Sequence, residues 1–127
     1  MKKEFVTYEQ ALALNELGFD EPCLVFYNGK FLDSTDYNFD DGTSKDIGLC
    51  TKAPLKQQVF RWFREKYKLV HEIQFGDGKI WIRYGYNSYV RALELDTNNN
   101  EFFHTYEEAE NACIDKLIEI AKQQDNE

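Results

Sequence analysis

A chain of 127 residues, 43% hydrophobic and 16% aromatic, is long enough for one domain with a packed core and too apolar for a disordered segment. The net charge of −8 argues against general nucleic-acid binding, whose affinity comes from neutralising phosphates, and no apolar run reaches the roughly 18 to 20 residues of a membrane span. Met1-Lys2-Lys3-Glu4 does not lead into the apolar stretch of a signal peptide, so a single soluble domain over residues 1–127 in a cytosol is expected.

The first predicted element is a short helix. Thr7 followed three residues later by Gln10 has capping-box spacing, and the run through Ala11, Leu12, Leu14 and Leu17 ends at Gly18. Cys23 to Tyr27 and Lys30 to Leu32 are strand-like, and Asn28-Gly29 between them tolerates positive φ, which predicts a hairpin. Residues 33–53 lack a steady period and are rich in Asp, Asn, Ser, Thr and Gly, which reads as a long acidic loop. Its stretch Asp36 to Gly42 begins like a calcium loop. The glycine then falls one place late, and Ile47 stands where a bidentate Glu is needed.

Ala53-Pro54 is expected to open a second helix reaching about Tyr67. At 100° per residue, Leu55, Val59, Trp62 and Phe63 share an inner arc widened by Phe60 and Tyr67, whereas Gln57, Arg61, Arg64 and Lys68 form an opposite stripe. This stripe belongs to a local reversal of charge. Residues 1–51 carry four bases and ten acids, 52–70 carry six bases and one acid, and 71–127 carry five bases and twelve acids.

Val70 to Phe75 and Lys79 to Tyr86 predict a second hairpin through Gly76-Asp77-Gly78, with Ile80, Ile82 and Tyr84 on one face and Lys79, Trp81 and Arg83 on the other. Tyr89 to Leu95 reads as a third strand of that group. Thr105 and Glu108 have capping-box spacing ahead of a last helix to about Lys122, whose inward stripe is Ala109, Cys113, Leu117 and Ile120. The order of elements predicts an α+β fold: an antiparallel sheet of about five strands in hairpins, with three helices packed on it.

The chemistry-bearing residues are few. Cys23, Cys50 and Cys113 share no CxxC spacing, which points away from a disulfide framework or a zinc site and toward reduced apolar fillers. Any catalytic base must be His71 or His104, and no GxSxG, HExxH or Cys-His signature accompanies either, so the chain reads as a non-enzyme. The stripe carries the functional expectation. Arg61 and Arg64 can offer planar donor forks to phosphate, with Gln57 reading a polar edge, Lys68 in support, and Trp81, Tyr84, Tyr86 and Tyr89 as stacking faces nearby.

The phrases Glu16-Leu17-Gly18-Phe19-Asp20-Glu21-Pro22-Cys23, then Ala53 to Tyr67 (APLKQQVFRWFREKY), then Thr105 to Cys113 (TYEEAENAC) resemble a family of small proteins encoded by phages and prophages of gut Bacteroidales. The resemblance implies a phage accessory protein working in the cytoplasm of a bacterial host, and brings no catalytic residues or cofactor with it. Together with the stripe it suggests a counter-defence protein that sequesters an anionic nucleotide signal, with the site shared across a homodimer. The alternative is an acidic module that docks on a host protein or mimics nucleic acid. A small hydrolase or nuclease built on His71 or His104 is a third reading.

Overall fold

The structure, a computed structural model, describes residues 2–29, 31–34, 50–86, 94–97 and 102–126, and these form two compact units, residues 1–55 and 56–127. The α+β class holds. The single five-stranded sheet does not: the described strands form two three-stranded antiparallel sheets, each in its own unit.

Unit 1 contains α1 (Tyr8–Glu16), β1 (Val25–Asn28), β2 (Phe31–Ser34) and β3 (Cys50–Lys52), in the sheet order β2-β1-β3. The capping box that opens α1 is complete, with the Gln10 backbone N–H donating to Thr7 Oγ1 at 3.2 Å and Thr7 N–H donating to Gln10 Oε1 at 3.0 Å. Gly18 follows the last helical turn at φ +94, a conformation that costs other residues a steric penalty. The predicted hairpin pairs Tyr27 with Leu32 and turns through Gly29 at φ +62.

The acidic loop is shorter than its sequence suggests. Asp33 and Ser34 complete β2, and Cys50 to Lys52 form β3, which pairs with the other edge of β1. With both its edges paired, β1 is the central strand of this sheet. Residues 35–49, which include the calcium-like stretch, lie outside the described residues.

Ala53 to Leu55 continue as extended chain instead of opening the helix. Ala53 N–H donates to the Val25 carbonyl at 2.9 Å, the Pro54 carbonyl accepts from Val6 N–H at 3.1 Å, and Leu55 bridges Phe5. These bonds occupy backbone groups in sheet-like pairing, so Pro54 is a buried spacer and not a first helical residue. Leu55 consequently leaves the predicted inner arc and is 42% exposed.

Unit 2 is a two-layer α+β sandwich built from α2 (Lys56–Tyr67), β4 (Leu69–Gly76), β5 (Lys79–Tyr86), β6 (Glu94–Thr97) and α3 (Tyr106–Asp125), with sheet order β4-β5-β6. Asp77 and Gly78 join β4 to β5 at φ +51 and +73, the pair of positive φ values that a tight two-residue hairpin needs. Leu69, His71, Ile73 and Phe75 share one face of the sheet with Ile80, Ile82, Tyr84 and Tyr86, and both helices lie there. Phe60 of α2 stacks on His71, Tyr106 of α3 stacks on Phe75, and Gln124 donates to Tyr86 Oη. The helices run side by side in the same direction. Lys56 faces Glu110 at their beginnings, 3.8 Å apart, and the Tyr67 hydroxyl donates to Asp125 at 2.9 Å at their ends.

Two boundaries move. The third strand is observed at Glu94–Thr97, with residues 87–93 outside the described set. The last helix reaches Asp125 and buries Ile114, Ile118 and Ala121 beside the predicted Ala109, Cys113 and Leu117, while Ile120 is half-buried. Its cap is half a capping box: Thr105 Oγ1 accepts from Glu108 N–H and donates to the Glu108 carboxylate, both at 3.1 Å.

Candidate functional site

The α2 sequence folds as a helix because its buried residues, Val59, Phe60, Trp62, Phe63 and Tyr67, recur at helical spacing along one arc. The opposite arc presents Gln57, Arg61 and Arg64 as exposed side chains, one helical turn apart. Arg64 lies close enough to His71 for its positive charge to bear on the imidazole, which places that end of the stripe over β4.

Lys68 stands apart from the other three. It follows the helix at φ +60 and turns its ammonium back to the Glu65 carbonyl at 3.3 Å, where a cation meets the negative end of the helix dipole. Its first duty is therefore to close α2. Lys66, which sequence spacing left out of the stripe, extends its ammonium over Trp62 and Tyr67, 5.1 and 5.4 Å from their ring centres.

Trp81 is not brought to the stripe. It lies opposite Gln74 on the sheet face away from Ile80, Ile82 and Tyr84, whereas α2 sits on the face that holds His71. Strand alternation therefore puts the sheet between the indole and the arginines. The other expected stacking faces are also committed elsewhere: Tyr84 is buried, Tyr86 Oη accepts from Gln124 at 3.0 Å, and Tyr89 lies outside the described residues.

The residue pair that spacing did not reveal is Phe60 and His71, stacked with ring centres 3.6 Å apart and planes within 10°. A period-two reading of Leu69, His71 and Ile73 would have put the histidine on the inner face, but its contact with α2 depends on how helix and sheet pack. Burial, followed by the charge of Arg64, pulls the His71 pKa down to about 4, so the ring is neutral at pH 7. His104 is exposed and meets Phe102 edge-on at 5.7 Å.

Burial pushes the thiols of Cys23 and Cys113 up to about 11 and about 12, so both are protonated fillers rather than nucleophiles. The side chain of Cys50 lies outside the described set. No group of three or more His, Cys, Asp or Glu side chains gathers into a metal-binding cluster among the described residues. No described helix is long and apolar enough to cross a membrane. Comparison with protein-family models, curated proteins and solved structures finds no match for this chain.

Proposed function

We propose that the protein is a non-enzymatic binding module that takes a phosphate-bearing ligand along the outer face of α2, in the role of a phage accessory protein sequestering an anionic nucleotide signal. The observation that carries this reading is the exposure of Gln57, Arg61 and Arg64 on one face of a helix whose apolar side chains anchor it by burial. Two guanidinium groups three residues apart can each offer a planar pair of N–H donors to phosphate oxygens, and a glutamine amide beside them can both donate and accept. Lys68 adds charge at the helix end. The site draws on stacking residues less than its sequence suggests, because Trp81 is on the other side of the sheet. A two-fold homodimer would double the number of arginine forks available to a ligand with two phosphates.

Native mass spectrometry of the full chain, alone and with a panel of cyclic dinucleotides, cyclic trinucleotides and NAD-derived signals, tests the reading and reports oligomeric state together with bound mass. A stoichiometric adduct that disappears in the Arg61→Ala/Arg64→Ala variant is the expected result. Because both side chains are exposed, that variant should unfold within about 0.5 kcal/mol of the parent. An adduct unchanged by the two substitutions, or apoprotein alone with every compound, overturns it.

A further inference from the structure

We infer that anion capture on the α2 stripe is coupled to protonation of His71 through Arg64, so that a phosphate-bearing ligand brings a proton to the imidazole and is held more tightly in acid. The inference rests on the stripe of the proposed function and adds a mode of regulation to it.

The geometry starts from Phe60. Its ring lies flat on the His71 imidazole, with centres 3.6 Å apart and planes within 10°, so β4 delivers the histidine to one defined point beneath α2. Arg64 follows Phe60 by four residues, and helical side chains at that spacing lie one above the other and lean back over the preceding turn. The guanidinium is thereby directed toward the stack, and its charge bears on the imidazole. Arg64 is also exposed and three residues from Arg61, so it belongs both to the outer stripe and to the surroundings of His71.

The other groups around His71 leave Arg64 as the charge that an anion can offset. Along β4 the neighbours on the same face, Leu69 and Ile73, are apolar, and from β5 the residue directly opposite is Tyr84, a buried phenol. Glu72 and Arg83 alternate to the other face of the sheet. From α3, Tyr106 stacks on Phe75 four residues further along the strand, and the titratable group of the helix's buried stripe is the Cys113 thiol, which burial keeps protonated. On α2, Lys56 faces Glu110 at the start of the helix, Lys66 lies over Trp62 and Tyr67, and Lys68 turns to the Glu65 carbonyl. The Glu65 side chain leaves the helix about 140° round from Phe60, and Arg61 about 100° round.

Before an anion binds, the Arg64 charge opposes the imidazolium; a phosphate on Arg64 cancels that opposition. Proton and anion therefore favour each other, and by linkage whatever factor the anion adds to proton affinity the proton adds to anion affinity. Two negative charges about 8 Å from the ring, in a water-like dielectric with ordinary screening, should raise the His71 pKa by about 0.5. From a starting value of about 4, the coupling acts in mild acid and leaves binding at pH 7 unchanged.

The test is NMR titration of both histidines of the full chain in sodium sulfate and in sodium chloride at matched ionic strength, with sulfate as a phosphate stand-in whose charge is fixed across the range. The His71 pKa is expected to be higher in sulfate by about 0.5, and the exposed His104 is the reference for a general salt effect. In Arg64→Ala the starting value should be higher and the response to sulfate lost; a value still below 6.5 shows that burial, and with it the fold, is intact. Reciprocally, sulfate affinity read from arginine side-chain resonances should tighten between pH 7 and pH 4 about two-fold more in the parent than in His71→Phe, which keeps the ring but takes no proton. A His71 pKa indifferent to sulfate, equal rises at both histidines, a response retained in Arg64→Ala, or the same pH dependence in His71→Phe would each overturn the coupling. A His71 response to sulfate without any nucleotide adduct in mass spectrometry would support the coupling and remove the nucleotide reading; an adduct without that response would do the reverse.

Discussion

The two faces of the β4-β5-β6 sheet carry aromatic side chains to opposite ends. On the covered face His71 is pressed against Phe60, loses most of its contact with water, and is held neutral by burial and by Arg64. On the opposite face Trp81 rests over Gly76 and is half-buried, between Lys79 and Arg83 along the strand. The lesson is that one strand pair sends its side chains into two different environments, because they alternate across it and both helices occupy one side. A residue type by itself does not tell which role it has. The histidine, a candidate base by its chemistry, serves packing against α2, and the tryptophan lies on the other face of the sheet, away from both helices.

Mutation and pH can break or sharpen that contrast. The largest effect belongs to the covered side: Phe63→Ala in the fully buried arc of α2 should destabilise the protein by about 3–5 kcal/mol in chemical denaturation. A cost below about 1 kcal/mol would mean that the helix layer does not depend on this packing. Trp81→Ala, on the opposite face where the ring is half-buried over Gly76, should cost less, about 1–3 kcal/mol in the same assay.

Acid should act on the covered face at intermediate strength. A histidine whose folded pKa is near 4 and whose unfolded value is near 6.5 is neutral in both states above that range and must be protonated in both below it. Its contribution to stability is therefore present above pH 6.5 and lost as pH falls toward 4. With allowance for the part of the ring that solvent reaches, the loss should be about 1–2 kcal/mol, and it should be absent in His71→Phe, which keeps the stack on Phe60. The smallest effect is a titration shift. Arg64→Gln should raise the His71 pKa, measured by NMR, while leaving it below 6.5, because burial is the larger cause and the arginine the smaller. An unchanged value would place Arg64 away from the imidazole.

Local order was readable wherever local physics decided it. The Thr7 capping box, the Gly29 and Asp77-Gly78 turns, the inward alternation of Ile80, Ile82 and Tyr84, and the inner arc of α2 from Val59 to Tyr67 all appear where period and turn chemistry put them. Each depends on residues a few positions apart. Leu55 is the instructive exception. Its helical spacing was right, but Ala53 and Pro54 had already given their backbone groups to Val25 and Val6, residues distant in sequence.

The division between sequence and tertiary structure at the candidate sites follows the same reasoning. The sequence by itself determined that Gln57, Arg61 and Arg64 share a helical face opposite the apolar arc, since both sets are fixed by 100° of rotation per residue. It also determined that Trp81 lies on the side of β5 with Lys79 and Arg83. Only the tertiary structure decided that the strands divide into two sheets, that α2 lies on the side of His71, and that the stripe and the indole consequently face away from each other across one sheet. The physical reason is that which edge a strand pairs with, and which face a helix covers, depend on contacts between segments far apart in the chain, and no local period encodes them.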